Sequence, residues 1–448
     1  MKLHSLLTKL LIVGLLTALA DQPVIGILSP LVAQAQASDS IYLPMVVREE
    51  GGYYVDSVNG SDNNTGKSPS QAWKTLARVR TTRLQPGDVV RFKRGQTWTG
   101  ALILEESGAQ GNPITISTYG EGARPILRNP GSSSNHTRAI VVVGDWNVIE
   151  GLKVQETYEA GIRLESSADH NIIRDVEVTN TGLGVQINGT YNLFTKSYVH
   201  DLHMVVNTPG GTDDYGAVGI VLHGAEYTEV SYNRFERCKA SSHDYGFDGG
   251  AIEWYADNTN YNYVHHNWAE ANHGFLEIGG GSAANNVVSY NVTLNNRKFS
   301  LLNLSGQYAA VVRNFRVENN TIVEQGSSEQ AWLIFAFTAN PASGVFSVRN
   351  NIVYAHNFSY VARPSMPNFT HDHNLYYLSG GTRLGITPVS SELQGDPRFI
   401  NLGGGDFHLQ ASSPAINAGV DLRHPLDFSD QSVPVGPIPD LGAFEYKP

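Results

Sequence analysis

Two glutamates, Glu253 and Glu277, are the pair in this sequence best placed to do chemistry. Each ends a phrase of one form, Gly249-Gly250-Ala251-Ile252-Glu253 and His273-Gly274-Phe275-Leu276-Glu277. Similar phrases end upstream on Glu165, Asn188 and His223 and downstream on Asn303, in steps of 23, 35, 30, 24 and 26 residues. If each phrase is one strand of successive coils, His223, Glu253 and Glu277 stand side by side, about 4.8 Å per strand. Hydrolysis of a glycosidic bond needs two carboxyls, one protonated and one ionised, about 5 to 5.5 Å apart in retaining enzymes. Mutual repulsion raises the pKa of one of them, as an acid catalyst requires. The expected roles are Glu277 as acid/base and Glu253 as nucleophile or base. Asp248 and Asp244, on the preceding loop, are alternative members of the pair.

The two widest steps contain long loops, which carry His200 to His203, Thr212 to Gly216 and His243 to Gly250. Long loops on one face of a solenoid form its binding face. His223 and His243 are expected to position substrate. Trp254, Tyr215 and Tyr245 are expected to stack on sugar rings, and Tyr255, His273, Arg297 and Lys298 to complete the contacts. A second chemistry fits the same residues. β-Elimination needs a base for the proton alpha to a uronate carboxylate, and cations for the enolate. His223, His243 or Tyr245 could be that base. A calcium ion on Asp213, Asp214, Asp244 or Asp248 could supply the charge. Calcium is expected only under this alternative; otherwise no cofactor is. A third reading is a glycan-binding surface protein without catalysis. His265 and His266 alternate within a strand and cannot converge on zinc.

The elements that must position these residues follow from a second repeat. It reads V-S-Y-Asn233, V-H-H-Asn267, V-S-Y-Asn291, V-E-N-Asn320, V-R-N-Asn351 and H-D-H-Asn374, with looser copies ending at Gly151, Asp175 and Ser197. A period of this size means each unit buries its apolar face only against its neighbours. The expected fold is all-β: a single right-handed parallel β-helix with an N-terminal cap containing a short helix. The repeated Asn is read as structural, stacking coil on coil. Residues 1–37 read as a signal peptide, with Lys2 and Lys9 flanking an apolar run and Ala35-Gln36-Ala37 as cleavage site. Residues 38–52 read as a linker, 53–129 as the cap, 130–377 as central coils and 378–448 as a segment closing the other end.

The opening Y-Y-V-D-S-V-N-G-S-D-N-N-T-G, the segment L-Q-P-G-D-V-V-R-F and the closing S-P-A-I-N-A-G and L-G-A-F-E-Y carry a family likeness. On them the chain, over residues 53 to 446, resembles the secreted right-handed parallel β-helix proteins of the pectin-lyase-like superfamily. The resemblance implies a polysaccharide-active protein. That superfamily includes lyases, hydrolases, epimerases, esterases and adhesins, so the fold does not choose the reaction.

Composition narrows the partners. The chain has 448 residues and a net charge of −11, which argues against nucleic acid. One cysteine, Cys238, allows no intramolecular disulfide and reads as a buried core thiol. No later segment is long and apolar enough to span a membrane. The expectation is a monomer, secreted or held at the cell surface, whose partner is a polysaccharide or oligosaccharide.

Overall fold

The computed structural model describes residues 52–303, 310–325, 332–337, 346–357, 360–362 and 369–448. Short strands separated by left-handed corner residues set the shape of each coil. In one coil the corners are Tyr227, Tyr232 and Arg237, with φ of 52°, 56° and 54°; in the next they are Tyr261, His266 and Ala271, at 58°, 54° and 57°. This conformation is unfavourable for residues with a Cβ. It is held by pairing between coils: the Tyr232 N–H donates to His265 O at 3.3 Å and the His266 N–H to Tyr290 O at 3.0 Å. Between corners the middle residue of each strand points inward, so Val230, Phe235, Val264 and Ala269 are fully buried. The strands are parallel and in register from coil to coil, which gives the expected β-helix.

Three faces result. One is a 12-stranded parallel sheet running from Tyr53–Val55 to Phe369–Asp372. The other two are joined by Lys153–Leu164 and Glu177–Ile187, long strands that bend across a corner. The repeated Asn lies just inside one corner. The Asn233, Asn267, Asn291, Asn320 and Asn351 N–H groups each donate to the Oδ1 of the next Asn, ending on Asn374, at 2.8–3.0 Å. Each amide also reaches a backbone carbonyl of the preceding coil, as Asn267 does Val230 O. The structural reading of these residues therefore holds. At another corner Trp146, His170, Tyr191, Tyr227 and Tyr261 form one continuous stack, with ring centroids 4.3 to 4.9 Å apart.

The cap contains the expected helix, Leu76–Arg80, with the Thr75 hydroxyl accepting from the Arg78 N–H. Leu76 and Val79 from its buried side, together with Trp73, join the core. The far segment corrects an expectation. Residues 378–448 do not simply close the end. From Phe399 onward the chain runs back along one flank, where Phe399, Phe407, Leu441 and Phe444 pack on Val292, Val323, Ile352 and Leu375. Outward-facing apolar side chains on that flank need cover, and the returning segment supplies it. His424 Nε2 to Glu318 (2.9 Å), both buried, and His266 Nε2 to Asp427 O (2.7 Å) fasten it there. Cys238 is buried, and burial pushes its thiol pKa up. Among the described residues no helix is long and apolar enough to cross a membrane.

Candidate active site

The strands Val218–His223, Gly250–Tyr255 and Leu276–Ile278 are parallel neighbours on one face. Their inward residues are apolar: Ile220, Ile252 and Leu276, then Leu222, Trp254 and Ile278. Alternation therefore turns Val221, Glu253 and Glu277 outward in one column, with Val221 paired to Glu253 and Glu253 to Glu277. Glu253 and Glu277 are thus register neighbours on adjacent strands. His223 does not join them. It pairs with Tyr255, two residues along, where the two rings lie 5.6 Å apart. Equal spacing of the two phrases from their glycines would set Gly219 beside Gly249, but the register sets it beside Ala251.

Trp254 is a second correction. It is fully buried and packs edge-to-face on Phe315 at 5.2 Å, so it forms core and not a sugar platform. Glu165, in the His223 column, is tied to Arg163 at 3.0 Å.

The long loops become antiparallel hairpins, Met204–Val206 with Tyr215–Gly216 and Ala240–Ser242 with Gly246–Asp248, each leading directly into a site strand. Tyr215, Tyr245 and Phe247 are exposed on them, and His243 is exposed at the second turn. The His243 N–H donates to Asn207 of the first hairpin at 3.0 Å. Asp244 links the hairpins rather than joining the glutamates: its Oδ2 accepts from the Asp213 and Asp214 N–H groups at 3.0 and 3.2 Å. Asp214 in turn accepts from the Ser242 hydroxyl and from the Thr208 and Asp244 N–H groups. Burial alone would raise the Asp214 pKa, but these bonds bring it below the ordinary value. Carboxylate oxygens of Asp213, Asp214 and Asp244 do approach within 4.8 Å of one another, so this donor set fits a hard cation such as calcium. Asp248 is not part of it. Several of the same oxygens already serve to lock the hairpins.

Asp248 instead faces the glutamates. Burial raises its pKa to about 6; the Gly249 N–H and Lys298 pull it down, and Asp214 pushes it up. Burial raises Glu277 to about 7, with Asp248 adding to the rise and Lys298 opposing it. Burial raises Glu253 well above the ordinary range, and the charges of Glu277 and Asp248 add to it. Both glutamates keep part of their surface open to solvent. No hydrogen bond or ion pair among the described residues holds either carboxyl.

Lys298, buried, sits across from them. Burial lowers its pKa, while Glu277 and Asp248 work against that effect. His273 is buried beside it and kept neutral, its pKa lowered to about 2 by burial and by Lys298, Arg297 and Lys239. Arg297 lies over the Phe247 ring at 5.3 Å. One residue escaped sequence reasoning. A Cβ on Gly279 would sit 2.3 Å from Glu253 Oε1, so this glycine leaves room for the carboxyl. The Gly279-Gly280-Gly281 run directly after the Glu277 strand was the signal.

Repeat, register and outward carboxylates define a parallel β-helix with one elaborated face. The chain belongs to the Pel9A-like right-handed β-helix family, whose model matches residues 53–330. Pectate lyase Pel9A has a similar structure, with a TM-score of 0.53 at 17% identity over 89% of this chain and 97% of that one. The structure of XylC with xylose gives 0.56 at 11% identity, over 88% and 98%. At such identities the likeness concerns the fold. In sequence, a lacto-N-biosidase of Bifidobacterium longum subsp. longum is 35% identical over 185 residues, which is 40% of this chain but only 11% of that protein.

Proposed function

We propose that this protein is a carbohydrate-active enzyme of the cell exterior that hydrolyses glycosidic bonds in a polysaccharide or oligosaccharide. The observation that carries the reading is the register pairing of Glu253 with Glu277, two outward carboxyls without partners among the described residues and with raised pKa. Adjacent strands put such groups at about the separation of a retaining pair. The roles differ from the sequence expectation. Lys298 favours the ionised form of Glu277, so Glu277 is the nucleophile and Glu253 the acid. Glu253 protonates the leaving oxygen while Glu277 forms a glycosyl ester. Glu253, now ionised, then takes a proton from the water that cleaves that ester. Asp248 sustains the high pKa of both. The family-level likeness and the partial match to a lacto-N-biosidase support a glycan substrate.

One observation favours a second reading. A buried lysine of lowered pKa is suited to abstract a proton alpha to a uronate carboxylate, and Lys298 is such a group. The deciding experiment incubates the purified protein with polyuronates, neutral polysaccharides and an oligosaccharide ending in lacto-N-biose. Reducing ends and the ultraviolet absorbance of unsaturated uronates are read in parallel. Hydrolysis yields reducing ends without absorbance, and Glu253→Gln or Glu277→Gln lowers the rate by about 10²–10⁴-fold. Absorbance that disappears in Lys298→Met would overturn hydrolysis in favour of elimination.

A further inference from the structure

A groove of about 630 Å³ lies on a different face from Glu253 and Glu277. Its floor is the outward side of strands on which Tyr198, Arg234 and Trp268 are register neighbours. The site strands follow only after the next corner, at Asp201, Arg237 and Ala271. Lys196 and Arg124 border the groove, and Phe428 of the returning C-terminal segment borders it as well.

The lining combines flat rings with positive charge. Arg124, Lys196 and Arg234 line it with Glu177, and Asp175, Glu236, Glu270 and Asp430 stand at its border, so of the three cations Lys196 is the one whose charge is not offset by an ion pair among the described residues. Glu177 is already paired with Lys153 at 2.6 Å. Arg124 is oriented by Asp175 at 2.6 Å, and Arg234 by both Glu236 and Glu270 at 3.2 Å. Lys196 is exposed and has no ion pair among the described residues. The rings are held in place. The Tyr198 hydroxyl donates to Glu236 and its ring stacks on His200 at 4.0 Å. Trp268 stacks on Phe407 at 5.8 Å and its Nε1 donates to Glu270 at 3.1 Å. Two strand steps, about 9.6 Å, separate the two aromatic residues, with Arg234 between them. Rigid rings bind sugar faces at low entropic cost, and cations between them select sugars with acidic groups.

We infer that this groove is a second, non-catalytic binding site for an anionic saccharide, a chain of uronate-type residues. It does not depend on the hydrolytic reading of the other face.

Native electrophoresis of the full chain in gels containing polygalacturonate, alginate or neutral hydroxyethylcellulose tests it. The polyuronates are expected to retard the protein and the neutral polymer not to. Lys196→Glu is expected to weaken apparent affinity about tenfold, the loss of one charge-assisted contact. Glu277→Gln is expected to leave retardation intact. The inference is overturned if the polyuronates cause no retardation, if the neutral gel retards equally, if Lys196→Glu migrates as wild type, or if Glu277→Gln abolishes retardation. Retardation by polyuronates that the protein does not cleave would support this site while leaving the hydrolytic reading to its own test.

Discussion

Two columns of polar side chains run through this β-helix, and they have opposite fates. Asn267, in the interior ladder, is fully buried, and its amide donates to Val230 O, His265 O and Asn291 Oδ1 at 2.8–2.9 Å. Its Oδ1 accepts from both the N–H and the amide of Asn233 at 3.0 Å. Glu253 and Glu277 also repeat at the coil spacing, yet among the described residues no such partner reaches either carboxyl, and burial with neighbouring charge strains both. Periodicity alone does not separate a structural column from a reactive one. What separates them is whether the neighbours satisfy the polar groups.

The sharpest test of that contrast is to remove one member of each column. Asn267→Ala leaves buried donors and acceptors in two coils unpaired, so it is expected to lower stability by about 3 kcal/mol. Chemical denaturation measures this directly. A loss below about 1 kcal/mol would mean that the ladder is decoration rather than framework.

Gly279→Ala breaks the contrast from the other side. The added methyl displaces the Glu253 carboxyl without changing its chemistry. A misplaced catalytic group of this kind lowers kcat about a hundredfold, and the melting temperature should barely move, because the flexible end of Glu253 can yield. Unchanged kcat in this variant would place the working carboxyl elsewhere, with Asp248 the next choice.

The two columns were not equally legible in sequence. The ladder was, because Asn recurs beside the same apolar pattern in every coil. The outward column was legible only in part. A strand keeps its facing under a shift of two residues, so the phrase spacing leaves the facing of His223 unchanged while setting it one column too near the glutamates. Insertion of the Ala240–Ser242 and Gly246–Asp248 hairpin before the Glu253 strand obscured the register. Trp254 was a readable error: if Glu253 faces out, its neighbour must face in. Lys298 was less readable, since Arg297 just before it is a left-handed corner, with φ of 64°, where strand alternation is interrupted. The returning C-terminal segment was hidden because its apolar residues meet coils more than a hundred positions away, as the Ala443 N–H meets Thr321.

A pH test sharpens the same comparison. Folding raises the Glu277 pKa from 4.5 to about 7, so the folded state holds that proton more tightly than the unfolded chain. The stability this contributes is complete below pH 4.5 and is lost as pH rises through about 7. Glu277→Gln removes the titration. The melting temperature of the variant relative to wild type should therefore be higher at pH 8 than at pH 4. A constant difference across that range would show that Glu277 is not strained by its surroundings.

The smallest effect is expected at the hairpin rings. Tyr245 and Tyr215 are 51% and 41% exposed beside the site strands, so either side chain can be shortened with little effect on the core. If Tyr245 stacks on a sugar remote from the bond being cleaved, it binds ground state and transition state alike. Tyr245→Ala should then raise KM with kcat unchanged, by about 1 kcal/mol or roughly fivefold. A fall in kcat at constant KM would instead place the ring against the reacting sugar. The hairpin would then belong to the same reactive region as the glutamates, and the boundary between framework and reactive face would lie further out than the strands.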